Sequence, residues 1–293
     1  MNAPSPTLPP ASLDDDSLAR ALAAGAAEVL LALRAEVDAA GGSFVAGELK
    51  DAGDAAAQAW LAAALSVARP GDAVLSEEAK DDAARTGADR VWIIDPLDGT
   101  REFAERHADG PQAGQWRDDF AVHVALWERG PGLTSGAVAL PARGQVLTTA
   151  DGVVRDEESA AVLSGDRPLR IAASRSRPPA FVAALAERDD VELVPMGSAG
   201  VKMMAVADAT VDAYVHGGGQ YEWDSAAPVA VARSRGLVCT RLDGSELEYN
   251  RENPWLPDLF VCPPALAPRL RELLDTVGVV SVAGADRKEG ARS

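Results

Sequence analysis

The sequence predicts a mixed α+β and α/β fold, with helices on an antiparallel meander in the first half and helices on both faces of a sheet in the second. Three observations carry that reading. Two long helical patterns precede any strand signal, strands between 120 and 147 follow one another through Gly- and Pro-bearing turns, and strand and helix signals alternate beyond residue 165. At about 100 to 200 residues per domain, 293 residues suit two packed domains. The boundary is placed at Gly165-Asp166-Arg167-Pro168, giving an α+β part at 13–165 and an α/β part at 166–283. Residues 1–12, rich in Pro and Ser, and the polar residues 284–293 are expected to be disordered tails.

In the first half, Ser12 with Asp14, Asp15 and Asp16 supplies a cap and an acidic first turn, and Leu18, Leu22, Val29, Leu33 and Val37 recur near helical spacing up to Gly41-Gly42. A second, Ala-rich helix opens at Asp54, carries Trp60, Leu61 and Leu65 on one face, and stops at Pro70-Gly71. Strands are expected at Val74-Leu75, Val91 to Ile94 and Phe120 to Trp127; Gly130-Pro131-Gly132 then turns the chain into Leu133 to Leu140, and Gly144 leads to Val146-Leu147. In the second half, strand signals at Leu169 to Ala172, Val191 to Val194, Val211 to Val215, Leu237 to Cys239 and Leu259 to Val261 alternate with helices beginning near Pro178, Ser198, Ser225 and Pro264.

Composition narrows the function. Hydrophobic residues are 47% and charged ones 25%, as in a soluble globular chain rather than a disordered one. The net charge of −17 repels phosphate backbones, so a nucleic-acid polymer is not an expected partner. An anionic ligand would need local positive charge, which a divalent cation held by carboxylates supplies economically. The longest charge-free apolar stretch, Ala55 to Ala68, is shorter than the roughly 20 residues of a spanning helix, and residues 1–12 lack a signal-peptide pattern. No membrane association and a cytoplasmic location are the expectations. Cys239 and Cys262, the only two cysteines, suit reduced structural thiols.

Asp95-Pro96-Leu97-Asp98-Gly99-Thr100 follows directly on the apolar run Val91 to Ile94. A strand delivers Asp95, Pro96 interrupts the ladder, and the turn can aim Asp95, Asp98 and the Leu97 carbonyl at one point, an oxygen set that suits Mg²⁺. Gly99 and Thr100 expose amides able to hold a phosphate. A capped turn between strand and helix produces part of this pattern; further carboxylates at Glu77-Glu78, after a short strand, and at Asp224 in Glu222-Trp223-Asp224-Ser225-Ala226-Ala227 favour the cation reading. The three-residue spacing of Asp95 and Asp98 disfavours an aspartyl-phosphate enzyme, no nucleotide P-loop motif occurs, and Pro96 and Leu97 break the calcium-loop pattern. Gly197-Ser198-Ala199-Gly200, ahead of a helix containing Lys202, is equally readable as an anion site or a Gly-rich cap. Arg101, Arg175 and Lys202 are the cationic candidates for a second phosphate, and residues 104–118 are a candidate lid in which Trp116 or Arg117 reaches the substrate. None of the three histidines, His107, His123 and His216, is expected to be catalytic.

Together, DPLDGT, the earlier SEE and the later EWDSAA resemble the lithium-sensitive inositol monophosphatase superfamily, and AVLSEE, VWIIDPLDGTREF, FAVHVALW and YEWDSAAPV are similar to its 3'(2'),5'-bisphosphate nucleotidase (CysQ-type) branch. The resemblance covers about residues 13 to 280. It implies a layered αβαβα sandwich of the inositol monophosphatase and fructose bisphosphatase type, in which the 13–165 part is the metal-binding domain. It also implies two or three Mg²⁺ ions per site, with Glu77, Asp95 and the Leu97 carbonyl holding one and Asp95, Asp98 and Asp224 a second. Asp54, which resembles an acidic position of the family despite unusual wording around it, would orient the Thr100 hydroxyl and, with Glu77, the attacking water. Asp98, Gly99, Thr100, Gly197, Ser198, Glu222 and Asp224 would line the substrate.

The activity so implied is hydrolysis of the 3'-phosphate of adenosine 3',5'-bisphosphate, and of its sulfated form, by a metal-activated water, a step that serves sulfate assimilation. The alternatives are an inositol 1-phosphate or fructose 1,6-bisphosphate phosphatase with the same metal site, and a phosphometabolite sensor that keeps the fold without catalysis. A small phosphate ester is the expected partner. A homodimer is among the expectations, since dimers are common in that superfamily.

Overall fold

The computed structural model describes residues 6–152 and 159–279. The C-terminal tail expected at 284–293 lies outside the described residues. Residues 6–12, expected to be disordered, instead run along the second helix, where the Trp60 indole donates to the Pro6 carbonyl and Arg69 donates to Ala11.

Helix α1 (Asp15–Ala39) is capped by Asp14, whose carboxylate accepts from the Ser17 amide, rather than by Ser12. Helix α2 (Ala46–Ala68) begins well before the expected Asp54, so Asp54 sits in its third turn. Its N-cap, Val45, has no capping side chain, and the sequence there carries no start signal.

The first sheet has the order β1-β2-β3-β4-β5, built from β1 (Ala73–Ser76), β2 (Arg90–Asp98), β3 (Ala121–Glu128), β4 (Gly132–Leu140) and β5 (Gln145–Thr148). β2 to β5 form the expected antiparallel meander, but β1 pairs with β2 in parallel. After the short helices α3 (Thr100–Phe103) and α4 (Ser159–Leu163), the second sheet takes the order β7-β6-β8-β10-β9. Its strands are β6 (Leu169–Ser174), β7 (Val191–Met196), β8 (Ala213–Tyr221), β9 (Val238–Thr240) and β10 (Trp255–Cys262). β8 starts later than expected and continues through Gly217-Gly218-Gly219 to Tyr221. Helices α5 (Ala180–Leu185), α6 (Ala199–Ala207), α7 (Glu222–Ser234) and α8 (Ala267–Thr276) complete the chain, α7 starting three residues before the expected Ser225.

Alternation along the strands assigns the layers. On β2, Trp92 and Ile94 pack with α1 and α2 through Leu18, Leu22, Leu30 and Leu61, while Val91 and Ile93 face α6 and α7. The same inner cluster takes in Tyr214, Leu259 and Val261 from the second sheet, and the outer face of that sheet, through Val215 and Phe260, carries α5 and α8. The result is five layers, αβαβα. Cys239 and Cys262 are buried and are not joined in a disulfide. Among the described residues no helix is long and apolar enough to cross a membrane.

Candidate active site

The site grows from the end of β2. The ladder to β3 pairs Asp95 with His123 and next Asp98 with Ala121, so Pro96 and Leu97 bulge out of register. Asp95 turns back to accept the Leu97 amide at 3.0 Å, and Gly99, at φ 88°, reverses the chain into α3. Thr100 opens that helix with its hydroxyl 3.4 Å from the Leu97 carbonyl, which gathers both oxygens on the side of the aspartates.

The third carboxylate comes from a distant element. Asp224 lies in the first turn of α7, and its carboxylate accepts the Tyr221 amide at 2.6 Å. One oxygen from each of Asp95, Asp98 and Asp224 lies within 4.8 Å of the others. Asp98 is fixed from the α6 side, where its Oδ2 accepts from the Gly200 amide at 2.7 Å and from the Ser198 hydroxyl. Behind it, His123 is fully buried, with Nδ1 against the Trp223 carbonyl at 3.1 Å and Nε2 3.3 Å from Asp98.

Like charges crowd this pocket. Burial, then Asp98, Glu77 and Asp224, push the Asp95 carboxyl well above the usual range. Burial followed by Asp98 raises Asp224 to about 7. Glu77 rises to about 8; solvent reaches this residue, yet its crowded carboxyl is desolvated, and four neighbouring carboxylates act in the same direction. Asp54 reaches about 7, through burial and then Glu78 and Asp51. The nearest ammonium, on Lys202, is spent on the carbonyls of Gly197 (3.0 Å) and Ser198 (2.6 Å), and burial lowers its own pKa. Clustered carboxylate oxygens with no side-chain cation between them are the donor set that a hard divalent ion requires.

Asp95, Asp98 and Asp224 therefore meet as expected, with Glu77 and Asp54 on the same electrostatic cluster. Three residues expected to line the substrate have polar atoms engaged within the protein. The Gly197 amide donates to Asp119 at 2.7 Å, the Ser198 hydroxyl is taken by Asp98 and by the Val201 amide, and Glu222, fully buried, accepts the amides of Asn250 (2.6 Å) and Arg251 (2.8 Å). Of the cations, Arg175 pairs with Glu102 and Glu105 and Lys202 is enclosed, whereas Arg101 keeps a 57% exposed side chain.

The expected lid is likewise anchored. Arg106 and Trp116 form a β-bridge and both hold Asp38 of α1, and Arg117 pairs with Asp119. Arg34, unremarked in the sequence, is buried and donates to the carbonyls of Glu102, Phe103 and Arg117, bracing α3 from behind. Like His123 and Asp119, it acts across a large sequence separation and gives no local signal.

Comparison with known proteins agrees with this arrangement. The inositol monophosphatase family matches over residues 14–277. A protein of Mycobacterium leprae named 3'-phosphoadenosine 5'-phosphate phosphatase is 48% identical over 270 residues, covering 89% of this chain and 93% of its own. The 3'(2'),5'-bisphosphate nucleotidase CysQ of Escherichia coli is 29% identical over 211 residues, covering 70% of this chain and 81% of its own. Among solved structures, CysQ from Bacteroides thetaiotaomicron superposes with a TM-score of 0.65 at 24% identity, covering 86% of this chain and 98% of its own. With the family matching nearly the full length and its carboxylates gathered at one point, the chain belongs to the inositol monophosphatase family.

Proposed function

We propose that this chain is a Mg²⁺-dependent phosphomonoesterase that removes the 3'-phosphate of adenosine 3',5'-bisphosphate, and of its sulfated form, in the cytoplasm. The observation that carries the reading is the convergence of Asp95, Asp98 and Asp224 beside Gly99 and Thr100, in a chain 48% identical to a protein named for that substrate. Glu77, Asp95, the Leu97 carbonyl, Asp98 and Asp224 would hold two or three Mg²⁺ ions. When bound, such ions supply Lewis-acid charge at the phosphoryl oxygens and acidify water.

The chain's own residues do the rest. The Gly99 and Thr100 amides face the phosphoryl group and fix it in line. Asp54, with its carboxyl near 7, takes a proton from the attacking water by way of the Thr100 hydroxyl, and Glu77 shares that task. The P–O3' bond breaks as the new P–O bond forms; the ribose 3'-oxygen leaves with the bonding pair and takes a proton from solvent water, and the proton held at Asp54 passes back to solvent. Two buried thiols not joined in a disulfide suit a reducing compartment. A homodimer and the division at 165/166 belong to the same reading.

Phosphate release with Mg²⁺, compared by kcat/KM for adenosine 3',5'-bisphosphate, inositol 1-phosphate and fructose 1,6-bisphosphate, tests it. Preference for the nucleotide is the expected result. Preference for either sugar ester would keep the metal chemistry and replace the substrate, and no release from any of the three, with Mg²⁺ bound, would favour a sensor.

A further inference from the structure

Large apolar side chains are seldom left in water without use, and two of those that are exposed here are neighbours across the β8–β10 pair. Tyr221 is 45% exposed and Trp255 37%. They are direct cross-strand partners at the end of the β8–β10 pair, so their side chains leave the same face of the sheet. The Trp255 indole lies flat across Gly219, where a Cβ would come within 2.4 Å of its Nε1; the missing side chain lets the ring settle beside Tyr221. On its other flank Tyr221 is stacked on Trp223, with ring centroids 4.7 Å apart and planes 8° from parallel.

This row of rings is tied to the carboxylates through the backbone. The Tyr221 amide binds the carboxylate of Asp224, and Trp223 accepts His123 at its carbonyl. A phosphate held at Asp224 therefore has the aromatic row within one turn of chain. Trp223 covers one face of the phenol, and the exposed remainder presents the opposite face. Flat, uncharged and open to solvent, such rings suit a purine base, since aromatic rings stack on every base without needing hydrogen bonds.

We propose that Tyr221 and Trp255 form the platform on which the adenine base stacks while its 3'-phosphate sits at the carboxylate cluster, which makes them the residues that favour a nucleotide over a base-free ester. This rests on the nucleotide reading above. It also gives Gly219 a purpose, because a Cβ there would collide with the indole.

The test uses the full-length protein with Mg²⁺ and measures kcat/KM for adenosine 3',5'-bisphosphate and for glycerol 2-phosphate, which has no base. The readout is the ratio of the two. Tyr221→Leu and Trp255→Leu, which keep apolar volume and remove the ring, are expected to lower that ratio by roughly fivefold to 150-fold, mostly through KM, the range of base-on-aromatic stacking. Tyr221→Phe and Trp255→Phe should restore it. A ratio that does not move in the Leu variants, or equal losses on both esters, overturns the platform. A wild-type ratio near one overturns the nucleotide reading itself, and that result is visible before any variant is made.

Discussion

Replacing Asp224 by Asn should stabilise the protein in one condition and cripple it in another. Burial and the Asp98 charge raise the Asp224 carboxyl from 3.8 to about 7. At about 1.36 kcal/mol per pH unit, ionising it in the metal-free fold costs roughly 4 kcal/mol. Because the folded value is the raised one, that cost is absent below about pH 4, grows as pH rises, and is complete above about pH 7. Asn carries no charge, and its amide oxygen still accepts the Tyr221 amide, a bond already counted in the raised value; seating the new N–H donors of the amide offsets about 1 kcal/mol of the gain. The net expectation is about 2 to 3 kcal/mol in favour of the variant at pH 8, or about 4 to 10 °C in Tm. Thermal melts in EDTA at pH 4.5 and pH 8 read this directly, with a difference near zero at the lower pH. Adding Mg²⁺ should reverse the order, since ligand at a thousand times its Kd stabilises the wild type by about 4.1 kcal/mol while the variant has lost a ligand. If Asp224→Asn is no more stable than wild type at pH 8 in EDTA, the crowding of like charges is not what the geometry indicates.

Three further outcomes are expected. Asp54→Asn should lower kcat about a hundredfold while leaving the Mg²⁺ concentration for half-maximal activity nearly unchanged; a normal kcat in steady-state assays removes Asp54 from proton transfer. Arg34→Met strands the carbonyls of Glu102, Phe103 and Arg117, so chemical denaturation should show a loss of about 3 kcal/mol or more, with kcat falling as α3 loosens; an unchanged midpoint would deny Arg34 its bracing role. Since residues from both sides of position 165 share one inner cluster, calorimetry should give a single transition whose van't Hoff and calorimetric enthalpies agree; two resolved transitions would mean that the halves are separate folding units.

The parts that could be read from the sequence are those in which a local pattern dictates the result. Val91 to Ile94 running into Asp95-Pro96-Leu97-Asp98-Gly99-Thr100 is such a case, since an alternating apolar strand, a proline and a glycine leave few ways to fold. The α2 start is hidden because Val45 offers no capping side chain, and the Ala-rich pattern beyond Asp54 carries the helical signal instead. β8 was cut short at its glycines, which usually punctuate a strand but here are held in it by pairing with β10. Glu222, Gly197 and Ser198 occupy positions where substrate contacts were expected, and only the tertiary fold brings up the Asn250, Asp119 and Asp98 groups that claim them. Charge alone could not assign Arg175, whose partners Glu102 and Glu105 lie some seventy residues away, or Lys202, which turns back onto the carbonyls at the start of its own helix.

The middle helical layer bears on how the protein comes into being. Asp95 and Asp98 emerge on the first sheet, but Ser198 and Gly200, which hold Asp98, and Asp224, which completes the cluster, are made over a hundred residues later. At about 5 to 20 residues per second, a nascent chain spends several seconds or more with Val91, Ile93 and Ala125 uncovered and two aspartates unopposed. The ribosome thus releases the catalytic pocket as one of its last acts, and a prematurely terminated product lacks both the roof of its core and the means to hold an ion.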